Sequence, residues 1–302
     1  LVSRRGGALF AVGGACTHYG GPLSEGLVEG DRVHCPWHHA CFSLRTGEAV
    51  AAPAFDPLKR WRVEETGGRV FVREPVEAPL PKPKVEGGPR RIVIVGGGAA
   101  GFAAAEMLRR RGFAGDLLMV SSDADPPCDR PNLSKDYLAG NAQPEWIPMK
   151  PPEFYRDLGI ELRLATPVAE IDAKTRRVVT GKGEALAYDA LLLATGASPI
   201  RIKGFDHPKA YVLRTIPDAD ALIAAAGSSR RAVVIGAGFI GLETAASLRT
   251  RGLEVDVVAP EAVPLVKVLG EEVGRLVQAI HEEHGVRFHL GVGAERFDGE
   301  RV

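Results

Sequence analysis

One glycine pattern, present twice, restricts what this chain can fold into more than any other feature. Gly96-x-Gly98-x-x-Gly101 follows the apolar run 92–95, and Gly236-x-Gly238-x-x-Gly241 follows the run 232–235, 140 residues further on. Each run reads as a buried parallel strand, and each turn opens a helical segment, 102–111 with Ala, Leu and Met at helical spacing and then 239–251. Glycines at these positions let the chain turn tightly and let a pyrophosphate approach the backbone. The helix start then offers N–H groups and the positive end of its dipole to that anion. Two strand–glycine–helix units at this separation form an internal repeat and predict two α/β dinucleotide-binding domains.

The residues before the first unit have another character. Residues 1–75 read as short strands and turns, such as Arg32–His34, 40–43 and 69–72, broken by glycine pairs and by Pro53 and Pro57. A small all-β domain is expected there. Residues 76–89 alternate proline with charge and contain Gly87-Gly88, the composition of an extended, semi-rigid linker. The expected order is therefore an all-β domain over 1–75, a linker over 76–89, a first nucleotide domain over 90–210 and a second over 211–302.

Within the β domain, Cys16-Thr17-His18 and Cys35-Pro36-Trp37-His38 are separated by 16 residues. Each loop offers one soft thiolate and one imidazole. Two Cys on one iron and two His on the other is the ligand set of a Rieske [2Fe–2S] centre, while the same four side chains would also suit a structural zinc. His34, His39 and Cys41 adjoin these ligands and read as packed or solvated groups, with His39 a candidate to orient a ligand. Cys128 stands alone, so four cysteines in 302 residues do not make a disulfide framework. A reducing, cytoplasmic compartment is expected. The formal net charge is zero and no long run carries one sign, which argues against nucleic acid or an anionic membrane as partner. No apolar stretch reaches the roughly 18 residues of a membrane span. The chain starts at Leu1 without a Met, and its second nucleotide pattern stops at Val302; a longer parent is expected.

The segment CTH…CPWHHACF resembles the ferredoxin-like Rieske family over about residues 8–73. The respiratory members of that family carry an extra cysteine in each loop, at positions matching Gly21 and Trp37, so the resemblance implies a centre without their bracing disulfide and with a lower potential. Asp129–Lys135, DRPNLSK, resembles a stretch of the ferredoxin and rubredoxin reductases and the apoptosis-inducing factor-like flavoproteins. That resemblance implies FAD at the first turn, with Ala99 and Ala100 beside its glycines and Arg130 and Lys135 near the isoalloxazine and adenosine. An exposed basic loop is the plainer reading of those two residues. Ala194-Thr195-Gly196 resembles the ATG signature of the same superfamily and would place Thr195 and Gly196 beside FAD. The acid expected for the FAD ribose falls at Asp123, or a hydroxyl of Ser121-Ser122 serves instead.

The second turn, with Ile240 inside it and Glu243 at its G-x-E position, resembles the nicotinamide-binding part of these reductases. Glu261, after the strand 254–258, is the candidate acceptor for a ribose 2′-hydroxyl, and no arginine pair follows, so NAD(H) is favoured over NADP(H); Lys267 is the residue that speaks for the latter. The resemblance implies an oxidoreductase in which NADH reduces FAD and the electrons continue to the Rieske cluster and to an electron-acceptor protein that the residues do not name. No catalytic side chain is needed, because the flavin carries the chemistry, with Lys135 close to it. Two rivals are a nucleotide-responsive redox module with little turnover, and a reductase component serving a dioxygenase or nitrite-reductase system.

Overall fold

A computed structural model describes residues 1–77 and 87–302, in two compact units. The linker expected at 76–89 falls largely on residues 78–86, outside the described residues.

The N-terminal unit holds eight strands: β1 (Val2–Arg5), β2 (Ala8–Val12), β3 (Leu27–Glu29), β4 (Arg32–His34), β5 (Cys41–Ser43), β6 (Ala49–Ala51), β7 (Arg60–Thr66) and β8 (Arg69–Val76). They form two antiparallel sheets, β1-β2-β7-β8 and β3-β4-β5-β6. Strand β8 runs four residues beyond the expected 69–72 and takes Pro75 and Val76 into the sheet. A proline is tolerated there because β8 is an edge strand and needs no outward N–H. Leu23, Val33, Phe42 and Leu44 are fully buried and form the small core that fixes the loops before β3 and between β4 and β5.

The second unit begins with β9 (Arg91–Val95), the first half of α1 (Ala99–Arg110) and β10 (Asp116–Val120). Helix α1 starts three residues before the expected 102, because Ala99 and Ala100 are exposed and Gly101 has no side chain, so the apolar spacing shows only from Phe102. Short helices α2 (Asp136–Ala139) and α3 (Pro152–Asp157) precede β11 (Ile160–Arg163), a meander β12 (Val168–Asp172), β13 (Arg177–Thr180), β14 (Ala185–Ala187), and β15 (Ala190–Leu193). The parallel sheet has the order β11-β10-β9-β15. Val93, Val95, Leu118 and Val120 pack against Val178 and Leu186 of the meander. Burial of β9 and β10 on both faces explains their unbroken apolar runs.

Helix α4 (Ile216–Ser228) leads into the repeat: β16 (Arg231–Ile235), α5 (Phe239–Thr250), β17 (Glu254–Ala259), α6 (Val266–Glu283) and β18 (Val286–Leu290). Here too the sheet is parallel, β16-β17-β18. Thr215 caps α4 with a full capping box to Asp218, which sets where that helix begins. Among the described residues no helix is long and apolar enough to cross a membrane.

Candidate functional site

The loop before β3 and the loop between β4 and β5 bring the four sequence-picked ligands together. Cys16 N–H donates to Gly21 O at 2.9 Å and Gly20 N–H to Cys16 O at 2.8 Å; Cys35 N–H donates to Ala40 O at 2.9 Å and His39 N–H to Cys35 O at 3.0 Å. His39 closes its turn in the left-handed region, φ 59°, a backbone position that histidine tolerates better than most residues. The two thiols are buried, while His18 is half-buried and His38 exposed. The imidazole centroids lie 5.0 Å apart. Burial pushes the Cys16 thiol up, the backbone N–H of His18 opposes this, and the neighbouring Cys35 thiol adds to it.

The donors thus form a buried sulfur pair and an outer nitrogen pair. A sulfur pair and a nitrogen pair sorted in this way fit a two-iron cluster, each iron with its own pair. Gly21 keeps this space open, because a Cβ there would stand 2.8 Å from Cys35 Sγ and 3.1 Å from the Trp37 ring. Gly21 and Trp37 are therefore side by side, and all four cysteines are free thiols. Cys41 and His34 are cross-strand partners, Sγ to Nε2 3.7 Å, with Glu29 3.9 Å from the same nitrogen.

The two nucleotide turns have the same construction. Gly96 N–H donates to Val120 O and Gly236 N–H to Val258 O, both at 2.8 Å, which ties each turn to the second strand of its unit. A Cβ on Gly96 would meet Ala194 O at 2.0 Å; on Gly101 it would meet Gly96 O at 2.0 Å, and on Gly241 it would meet Gly236 O at 2.1 Å. The protein's own backbone demands these glycines. Gly98 and Gly238 differ: nothing lies within 4 Å of a Cβ built on either. The space above the middle glycine is where a pyrophosphate approaches. Ala99, Ala100 and Ile240 are exposed at these helix starts, and Gly238 caps α5 with no side-chain hydrogen bond, which leaves its first N–H groups available to an anion.

Around the first turn, Asp123 and Arg130 are paired at 2.6 Å. Sequence reasoning assigned them separate tasks, but an ion-paired carboxylate keeps lone pairs for a ribose hydroxyl. Lys135 Nζ lies 2.9 Å from Glu243 Oε1. Thr195 and Gly196 are exposed at the end of β15, with Gly196 at φ 68°. Arg214 was missed in the sequence. Its Nη2 is 3.3 Å from where a Gly196 Cβ would stand, and its buried Nε has no hydrogen-bond partner among the described residues. An arginine directly before the Thr-Ile-Pro-Asp cap of α4 was the available signal. Cys128 is buried, its thiol pushed up by that burial, and no second cysteine adjoins it. At the second turn Glu261 pairs with Lys267 at 2.9 Å, and this bond lowers the Glu261 carboxyl below its usual range.

Two matches decide the family. Residues 90–302 match the model of the pyridine nucleotide-disulphide oxidoreductases, and residues 1–62 match that of the Rieske [2Fe-2S] domain. The chain belongs to the pyridine nucleotide-disulphide oxidoreductase family. It carries a Rieske domain at its N-terminus, as the ligand loops implied. A [2Fe–2S] cluster belongs to the Rieske domain, and FAD with NAD(P)H to the oxidoreductase family. Apoptosis-inducing factor 3 of Homo sapiens is 35% identical across 99% of this chain and 51% of its own length. Rhodocoxin reductase of Rhodococcus erythropolis is 39% identical over 64% of the chain and 46% of its own length. The ferredoxin reductase for the CYP199A2 system of Rhodopseudomonas palustris superposes with a TM-score of 0.67 at 34% identity, covering 70% of this chain and 52% of that one. A covalent putidaredoxin reductase–putidaredoxin complex gives 0.67 at 33%, with 69% and 51% covered. The chain spans about half the length of the curated relatives it matches.

Proposed function

We propose that this chain passes electrons from NADH through FAD to a [2Fe–2S] cluster and on to an acceptor protein, in a reducing, cytoplasmic compartment. One observation carries the reading. The same chain holds two nucleotide turns whose middle glycines face open space, and a loop pair that sorts two thiols from two imidazoles. Bound FAD would accept a hydride and release single electrons, and a bound cluster would take them one at a time.

The protein residues bind and orient. Cys16 and Cys35 would hold the buried iron, and His18 and His38 the outer one. Gly96, Gly98 and Gly101, with Ala99 and Ala100, would cradle the FAD pyrophosphate. Asp123 would accept a ribose hydroxyl, and Thr195 and Gly196 would border the flavin. Arg130 and Lys135 would supply positive charge near it. Gly236, Gly238, Gly241 and Ile240 would receive the nicotinamide nucleotide, with Glu243 close to its reacting end. Glu261, an anion bonded to Lys267, would accept a ribose 2′-hydroxyl and repel a 2′-phosphate, which supports NAD over NADP. The putidaredoxin reductase–putidaredoxin neighbour fits an acceptor protein of ferredoxin type.

The test is electron paramagnetic resonance of the iron-reconstituted, FAD-loaded chain after anaerobic NADH addition. The expected result is a rhombic Rieske signal with NADH alone. A signal that needs dithionite would break the route at the flavin and favour a nucleotide-responsive module with little turnover. No signal under dithionite would overturn the cluster assignment.

A further inference from the structure

Helix α5 carries three polar residues on one stripe, Glu243, Ser247 and Arg251, the last at its C-cap. Their spacing of i, i+4 and i+8 stacks them along a single face. All three reach one segment, residues 134–138. Glu243 Oε2 accepts the Ser134 hydroxyl at 2.6 Å, while its Oε1 holds Lys135 Nζ at 2.9 Å. Ser247 is buried, and its Oγ lies 2.7 Å from Ser134 O and 3.1 Å from Lys135 O. Arg251 donates from Nε to Leu138 O. Gly140, in the left-handed region at φ 91°, lies beside that guanidinium.

The opposite face of α5 is locked to its own sheet. Ala245 and Leu248 are buried with Val255 and Val257 of β17. Close-packed interiors transmit strain, so a displacement at the glycine turn where α5 begins would reach all three contacts. We infer that Ser247 and Arg251 are positioning residues which, with Glu243, grip the Lys135 segment and couple occupancy of the nicotinamide turn to the surroundings of the flavin. The inference rests on the reading that Lys135 adjoins FAD and that the Gly236 turn receives the nicotinamide nucleotide.

NAD+ titration of the FAD-loaded chain, followed by the flavin difference spectrum, tests it. The wild type is expected to change its flavin spectrum on binding. S247A and R251M should shrink that change and weaken NAD+ binding by about threefold to tenfold, the effect of one ordinary hydrogen bond. S247T, which keeps the hydroxyl, should restore both. Amide hydrogen exchange of residues 134–140 gives a readout without cofactor, and S247A should speed it relative to S247T. A flavin response that S247A and R251M leave intact, with only a lower melting temperature, overturns the coupling alone. A wild type whose flavin ignores NAD+ overturns the nicotinamide–flavin reading and the coupling with it, whereas unchanged exchange in S247A overturns the grip itself.

Discussion

Lys135 of the R-P-N-L-S-K segment and Glu243 of helix α5 form an ion pair at 2.9 Å across 108 residues of sequence. Lys135 is about half exposed, so the pair adds little to stability. Its expected effect is on charge at the flavin. E243Q keeps an acceptor for Ser134 and removes a negative charge, so it should raise the flavin midpoint potential. K135M removes a positive charge and should lower it. Spectroelectrochemical titration of the FAD-loaded variants measures both, and shifts of the same sign would refute the electrostatic role.

The glycines of each turn should separate into two classes. G101A and G241A drive a Cβ to about 2 Å from a carbonyl oxygen and should destabilise the fold by several kcal/mol or prevent it. G98A and G238A meet nothing within 4 Å, so their melting temperatures should stay close to wild type. Their ligands should suffer instead, with FAD retention falling in G98A and NADH binding in G238A. Fluorimetry and flavin content decide this. A G98A protein that keeps FAD fully would remove the middle glycine from the cofactor site.

At the metal loops, G21A places a methyl group 2.8 Å from Cys35 Sγ, whereas G14A makes an ordinary contact, 3.6 Å from the Leu1 nitrogen. Iron and sulfide content after reconstitution should drop in G21A and hold in G14A. Equal loading would show that the loop yields without cost to the cluster.

Tyr137 donates to Asp220 Oδ1 at 2.6 Å, and burial together with that bond pushes its hydroxyl up to about 12 from 10. The neutral form is the one bonded, so its contribution is complete below pH 10 and is lost as pH rises towards 12. Denaturant titrations in that window should show wild-type stability falling. Y137F should lose roughly 1 kcal/mol at neutral pH and fall less steeply in alkali. Parallel slopes would assign the alkaline loss to other groups.

Glu261 and Lys267 should set nucleotide choice. E261A frees the Lys267 ammonium and removes the anion proposed to face a 2′-phosphate. The ratio of NADH to NADPH binding should drop by about tenfold, the scale of one charge-assisted hydrogen bond. An unchanged ratio in binding titrations would take Glu261 out of the ribose site.

What the linear chain by itself determined was everything set by short spacing. The strand–glycine–helix units, the strong β character of 92–95 and 254–258, and the pairing of Cys16 with His18 and Cys35 with His38 all lie within a few residues of one another. Local sterics and ligand chemistry act at that range, so residue type and interval suffice. The start of α1 lies three residues before Phe102 because Ala99 and Ala100 are exposed and Gly101 has no side chain to mark a face. Tertiary structure alone decided the long-range pairings. Asp123 with Arg130 was close enough to guess, but Ser247 with the Ser134 carbonyl, Arg251 with Leu138, Tyr137 with Asp220 and Arg214 beside Gly196 were not. These partners meet only because β11-β10-β9-β15 and β16-β17-β18 fold as separate parallel sheets whose linking segments pack on each other. A side chain's neighbours across such a junction depend on the crossing of α5 over α2, which no interval in the sequence encodes.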